Sequence, residues 1–246
     1  MLPLILAIVV LATTMLILAR QRVTLPRSPG LEGIEDVDAA KAYDLVSQWP
    51  QFRLLRRMIA ARLAKYQPAG TLADIGCGPG YLTTLIAQKY PQLHVIGIDL
   101  SAEMVHAGTS NASALGLAAR VEFRKGDVSD LPMPNDSLDF AVSSLSLHHW
   151  SNPGHGVAEI YRVLEDGGQL LLFDLRRDPR RLFSWLIKFV QRIIVLPALR
   201  RVNEPLGSLL SSYTLAELED LLAQSPFNEW VVEGGAGWMF AWARKG

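Results

Sequence analysis

The sequence predicts an α/β fold: a seven-stranded sheet with helices on both faces and an antiparallel C-terminal hairpin. Three observations predict it. Five short apolar runs (the start of Thr71–Gly80, then Leu93–Leu100, Val121–Phe123, Ser137–Ser144 and Gln169–Leu175) alternate with helix-like stretches, as in a parallel sheet buried on both faces. The first run enters a glycine-rich turn, TLADIGCGPG, and a helix follows at once. Near the end, Asn228–Glu233 and Trp238–Ala243 flank Gly234-Gly235-Ala236-Gly237, a hairpin pattern.

The 246 residues suffice for one such domain, expected over 39–246, plus an appendage. Lys+Arg and Asp+Glu are both 24, so charge gives no case for a nucleic-acid binder. The single cysteine, Cys77, excludes an intrachain disulfide framework and favours a reducing compartment.

Half of the residues are hydrophobic, and the first excess is local. Leu2–Ala19 is uncharged over 18 residues. As a helix it would be about 27 Å long, close to the ~30 Å hydrocarbon core of a bilayer. Only Thr13 and Thr14 interrupt it, so a core helix with a polar stripe fits poorly. A cleaved signal peptide would carry a basic leader and a small-residue cleavage site, and neither is present. The span therefore reads as a transmembrane anchor over 1–20. Arg20, Arg22 and Arg27 follow it, which places the following domain in the cytoplasm.

Residues 21–38 read as a linker, with Pro26, Pro29, Gly30 and Gly33. Ala39–Trp49 is a short helix ending at Pro50. Gln51–Tyr66 is a second, with an apolar stripe of Phe52, Leu55, Ile59 and Leu63. Arg53, Arg56, Arg57 and Arg62 lie outside that stripe and read as a solvated face.

In the glycine turn, Gly76, Gly78 and Gly80 permit positive φ and close approach of a ligand to the backbone. Asp74 precedes the turn, where a carboxylate can face a cation. The spacing is G-x-G-x-G, so the G-x-G-x-x-G fingerprint of dinucleotide binders fails. The second strand ends at Asp99, 19 residues after Gly80. That is near the ~20 expected of an acid that holds a ribose after a strand–helix–strand unit. Ser101 is positioned to cap the next helix. Gly126-Asp127-Val128-Ser129-Asp130-Leu131-Pro132 follows the third strand. The fourth strand ends at Ser144, and Leu145–Trp150 (LSLHHW) succeeds it. Ligands of open α/β sheets bind at this edge, which makes His148 and His149 candidates for catalysis. Val157–Leu164 is a helix, and Thr214 caps Leu215–Ala223.

The D-x-G-x-G-x-G turn resembles motif I of class I S-adenosylmethionine (SAM)-dependent methyltransferases, a Rossmann-like family. The resemblance covers about residues 40–175 and is greatest to the group containing the ubiquinone and menaquinone C-methyltransferases. It implies SAM as cofactor, a cationic nucleoside that suits an acidic glycine turn better than a pyrophosphate does. It implies that Asp74, Gly76, Cys77, Gly78 and Gly80 form the cradle, and that Asp99 with Leu100 holds the ribose. Ser101-Ala102-Glu103-Met104 matches a family habit that sets Met104 against the adenine. The Asp127 string resembles the adenine end of the pocket, where Asp127 accepts from the exocyclic amine and Val128 offers its N–H. Ser144 lies at the same strand edge. Tyr43-Asp44 resembles the pair found ahead of motif I in small-molecule enzymes. Leu164-Glu165-Asp166-Gly167-Gly168 resembles the family's L-x-P-G-G turn, with Asp166 in place of proline.

Asp174–Ser212 is longer than a tight connection needs. Arg181, Ser184, Lys188, Gln191 and Arg192 recur at helical steps, and Phe183–Leu196 fills the remainder with apolar residues. Two readings stand: an interfacial helix on a bilayer, and a lid packed on the domain. The function expected is methyl transfer to a small lipophilic acceptor at a membrane. The alternatives are a membrane-anchored thiol methyltransferase and a non-catalytic SAM-binding protein; a nicotinamide oxidoreductase is disfavoured by the glycine spacing. No metal-ligand spacing is present.

Overall fold

Seven strands form one sheet: β1 (Thr71–Ile75), β2 (His94–Asp99), β3 (Val121–Lys125), β4 (Leu138–Ser144), β5 (Leu164–Leu175), β6 (Glu229–Gly234) and β7 (Trp238–Arg244). Their order is β3-β2-β1-β4-β5-β7-β6. β1 to β5 pair in parallel, and β7 runs antiparallel to both β5 and β6. The computed structural model of the chain describes residues 5, 6, 9, 13, 19–28 and 37–246. Most of Leu2–Ala19 and residues 29–36 of the expected linker lie outside the described residues. Among the described residues no single helix is long and apolar enough to cross a membrane.

The helices are α1 (Val37–Ser47), α2 (Pro50–Leu63), α3 (Tyr81–Lys89), α4 (Ala102–Ala114), α5 (Pro153–Val163), α6 (Arg181–Ile193), α7 (Pro197–Arg201), α8 (Leu206–Ser211) and α9 (Leu215–Ala223). Successive strand residues face opposite ways, and both faces are apolar here. Leu72, Val95, Phe140 and Leu171 pack with Ile59 and Leu63 of α2 and Leu82 and Ile86 of α3. Their neighbours Ala73, Ile96, Ala141 and Leu172 pack with Val157 and Ile160 of α5 and Leu218 and Leu222 of α9. Local chemistry sets the helix starts. Pro50 and Pro153 occupy first-turn positions, where the missing N–H costs nothing. Thr214 and Glu217 form a capping box at α9.

The structure departs from the sequence reading in three places. β5 begins at Leu164, five residues early, because Leu164 pairs with Leu138 before the register shifts to Phe140–Gln169. Residues 21–28 do not hang free. Val23 N–H donates to Pro179 O (3.0 Å), Leu25 N–H to Arg177 O (3.0 Å) and Ser28 N–H to Leu210 O (3.1 Å). Arg177, buried, donates in turn to Leu25 O (2.6 Å), to Ser212 O (3.1 Å) and to Glu217. The insertion is broken after α6 rather than continuous to Leu196. Its second half, Pro197–Ser211, turns away from α6 by 116°.

The α6 helix keeps much of its apolar face outside. Ser184, of the polar stripe, is 4% exposed, while Trp185 and Ile193 are 60% and 62% exposed. Leu182, Leu186 and Phe189 share that outward face. Inside the segment Val195 and Leu199 are buried, and Phe183 sits against Gly237, so the insertion is seated yet keeps an apolar stripe outside.

Three glycines make room for one ring. A Cβ on Gly80, Gly97 or Gly108 would lie 2.4–2.5 Å from a Phe123 ring carbon, so α3 and α4 close onto the sheet only around that ring. Gly108→Ala is expected to cost about 1–3 kcal/mol as overpacking. Combined with Phe123→Leu it should cost less than the sum of the two single changes. Urea unfolding of the four proteins measures this, and strict additivity would refute the shared slot.

Candidate active site

The sheet order reverses between β1 and β4, and the turn after β1 opens at that switch point. Gly76 and Gly78 have φ of 71° and 54°, conformations that suit glycine. A Cβ on Gly76 would collide with Ser146 Oγ at 2.1 Å, whereas one on Gly78 would meet only the Tyr43 ring at 3.9 Å. Gly78 therefore leaves an open cradle. Gly76 N–H (2.8 Å) and Cys77 N–H (3.1 Å) both donate to Ile98 O, and Gly78 N–H donates to Asp99 Oδ2 at 2.8 Å. Asp99 Oδ1 accepts from Ser101 N–H at 3.0 Å. Burial pushes the Asp99 carboxyl up, and these two N–H groups oppose the shift.

A cleft over this turn is lined by Tyr43 and Ser47 of α1, Arg56 of α2, residues 76–79, Tyr81 and Leu82, and Ser144 and Leu145 at the end of β4. Asp74 lies beneath it, buried. Its Oδ2 accepts from Thr83 Oγ1 at 2.6 Å, and its Oδ1 has no partner among the described residues. Burial raises its pKa to about 7, against the Thr83 hydrogen bond that lowers it and with the nearby Asp99 charge that raises it further. Burial also raises the Cys77 thiol, so this cysteine is no thiolate nucleophile.

Other expected residues are placed differently. Ser101 Oγ caps α4 by accepting from Met104 N–H (3.4 Å), and Met104 is buried. Leu100 is exposed. Asp127 is exposed, and its Oδ1 accepts from Ser129 N–H and Oγ, both at 2.8 Å. Val128 packs on the core beside α5. His148 is buried, with Nδ1 2.7 Å from Asp174 Oδ1, and the His149 ring lies 4.1 Å from it, centroid to centroid.

Arg56 corrects the solvated-face reading of the α2 arginines. It is half-buried, donates to Ser47 O at 2.7 Å and lies over the Tyr81 ring at 5.1 Å. Arg62 likewise pairs with Glu233 and sits over Phe240. Arg53 and Arg57 are exposed. Arg56 stands three and seven residues before Ile59 and Leu63, at the border of the apolar stripe, and that spacing was the available signal. Tyr81 Oη donates to Asp44 Oδ1 at 2.9 Å, tying α1 to α3 over the cleft.

Residues 73–172 match the methyltransferase domain family model. Those residues carry a methyltransferase domain. The family's cofactor, SAM, matches the open cradle at Gly78 and the unpartnered Asp74 oxygen. The chain is 29% identical to a ubiquinone/menaquinone biosynthesis C-methyltransferase of Geotalea daltonii, over 61% of this chain and 65% of that one. It is 31% identical to a demethylmenaquinone methyltransferase of Porphyromonas gingivalis, over 56% and 55%. The chain thus spans less than two thirds of the length of these curated relatives. In fold it matches a SAM-dependent methyltransferase structure from Methanococcus maripaludis, with a TM-score of 0.66, 22% identity, and 88% and 97% of the two chains covered.

The buried acid gives a pH test. Asp74 has a folded pKa near 7 against 3.8 for the ordinary group. Its contribution favours the fold below the ordinary value and is lost as pH rises through about 7. Asp74→Asn should match the parent near pH 4 and exceed it at pH 8 by roughly 2–4 kcal/mol. Denaturant unfolding across that range reads the difference, and parallel stability curves would contradict the assignment.

Proposed function

We propose that this chain methylates a small lipophilic acceptor at a membrane surface, with its catalytic domain on the cytoplasmic side. The observation that carries methyl transfer is the glycine turn tied to Asp99 beneath an open cradle. SAM, when bound, supplies a methyl group already activated on a sulfonium, so the protein's task is largely to bind and to orient. Asp99 would hold the ribose hydroxyls, since each carboxylate oxygen keeps a lone pair beyond its backbone bond. Gly76–Gly80 would follow the ligand backbone to backbone. Asp74 and Arg56 carry the charges to complement an ammonium and a carboxylate at the amino-acid end. Met104, Asp127 and Val128 are the residues this reading assigns to the adenine end.

The acceptor reading rests on the relatives named for quinone synthesis and on α6. Its outward stripe carries stacked Trp185 and Phe189, 5.4 Å apart, with Arg181, Lys188 and Arg192 exposed alongside. An amphipathic helix of this kind favours a bilayer interface. The expected anchor supports the same reading, because the segment leaving it is fixed at the start of α6: Arg181 N–H donates to Gln21 O at 2.8 Å. Arg20, Arg22 and Arg27 follow the expected anchor in the sequence, which supports the cytoplasmic orientation.

Two measurements test this. Asp99→Asn keeps an acceptor for Gly78 N–H but loses the bidentate carboxylate, so SAM affinity by calorimetry should fall roughly 10- to 100-fold; an unchanged Kd removes the ribose role. Trp185→Ser with Phe189→Ser should weaken binding of the residue 21–246 fragment to liposomes and raise KM for a lipophilic acceptor, with SAM affinity held. Liposome binding equal to the parent's would make α6 a connector only.

A further inference from the structure

The chain has 24 basic and 24 acidic residues, but the two signs are segregated along it. Between Asp178 and Glu204 stand Arg180, Arg181, Lys188, Arg192, Arg200 and Arg201, and no acid. Residues 1–28 add Arg20, Arg22 and Arg27, again with no acid. These two stretches hold nine basic residues, so the rest of the chain holds 24 − 9 = 15 against 24 acids, a net charge of −9. The fold brings the two basic stretches together. Arg22 and Arg180 form an antiparallel bridge, and the Arg181 guanidinium donates to Gln21 Oε1 at 3.2 Å. Arg20, Arg22, Arg180 and Arg181, all exposed, thus meet at the start of α6. Asp178, the acid nearest to them in sequence, is already held by Arg176 at 2.9 Å. The crowding is felt at Arg22: burial lowers its pKa and Arg176 and Arg180 lower it further, against Asp178.

Along α6 the positive charge continues on one edge. At about 100° per residue, Arg181, Lys188 and Arg192 fall within an arc of about 40°. Ser184, on one side of that strip, is buried, while Leu182, Trp185, Leu186, Phe189 and Ile193, on the other, are exposed. A cationic edge therefore separates the apolar stripe from the domain. A nucleic acid would use the cations and gain nothing from the aliphatic stripe, and an uncharged apolar partner would do the reverse. A bilayer with anionic headgroups uses both, phosphate at the cationic edge and acyl chain at the stripe.

We propose that α6 and the arginines gathered at its start dock on an anionic phospholipid surface, with Arg20, Arg180, Arg181, Lys188 and Arg192 toward the headgroup phosphates and Trp185 and Phe189 toward the acyl chains. The inference rests on the membrane reading above and adds the lipid class to it. The rest of the chain, at −9, is repelled by the same surface, so charge selects which side of the domain approaches it. Each basic residue close to an anionic leaflet strengthens binding about fivefold. The three along α6 together amount to about 100-fold.

The test reconstitutes the full chain into vesicles of phosphatidylcholine alone, or of equal parts phosphatidylcholine and phosphatidylglycerol, with brominated acyl chains that quench tryptophan. The part of the quenching that Trp185→Phe removes reports on α6. It should be about fivefold or more greater in the anionic vesicles. It should fall to the phosphatidylcholine level in high salt, and likewise in the triple variant Arg181→Gln, Lys188→Gln, Arg192→Gln. Should that variant unfold more easily than the parent, the lipid and salt comparisons decide alone. Equal Trp185 quenching in the two vesicle types overturns the lipid class and leaves the membrane reading standing, whereas no quenching in either sinks both. Anisotropy of a labelled RNA duplex, titrated with the chain in neutral detergent, covers the other polyanion. Tight RNA binding that the triple variant abolishes, without lipid-dependent quenching, also overturns the proposal.

Discussion

The site depends on the bonds that fold the turn after β1 back onto the end of β2. Two successive N–H groups, of Gly76 and Cys77, converge on the single carbonyl of Ile98, and the next glycine N–H reaches the Asp99 carboxylate. This bend requires positive φ at Gly76 and Gly78, and it presses Gly76 against Ser146. One short segment therefore fixes three things: where α3 starts, where the turn after β4 passes, and which way Asp99 is held. The parallel register that aligns Ile75 with Ile98 makes the bend possible, since it brings the two strand ends level. The cleft is a consequence of that alignment.

What was legible in the sequence is what short-range chemistry determines. The strands showed as apolar runs, the turn as glycines behind an acid, and α9 as an apolar run behind a capping threonine. The hairpin appeared within a residue or two of its place. The missed features depend on contacts between distant parts of the chain. Asp174 looked like the end of a strand, and only its pairing across 26 residues with His148 gives it a role. Glu204 sat in an unassigned insertion. Periodicity shows that α6 has two faces, but it carries no information on which face meets the domain. Packing decided that, and it turned Ser184 inward and Trp185 outward.

The stretch after the expected anchor shows the same limit from the other side. Prolines and glycines suggested a linker, and the backbone is indeed extended, yet its hydrogen bonds go to Arg177 and Pro179. The doublet Arg176-Arg177 makes this possible. Both guanidiniums are buried, an arrangement tolerated only with partners. Arg176 has Asp178 at 2.9 Å, while Arg177 joins the N-terminal segment, the end of the insertion and α9. Arg177 thus ties the N-terminal segment to the end of the insertion.

A chain with no net charge has gathered acids at one end of its sheet. Burial raises Asp74, Asp99 and Glu204 together, which means that each ionises at a cost that a nearby cation would reduce. The guanidinium that lines the cleft among the described residues, Arg56, is itself partly desolvated, and burial lowers its pKa. A cationic ligand therefore gains from the acids, and the acids gain from it.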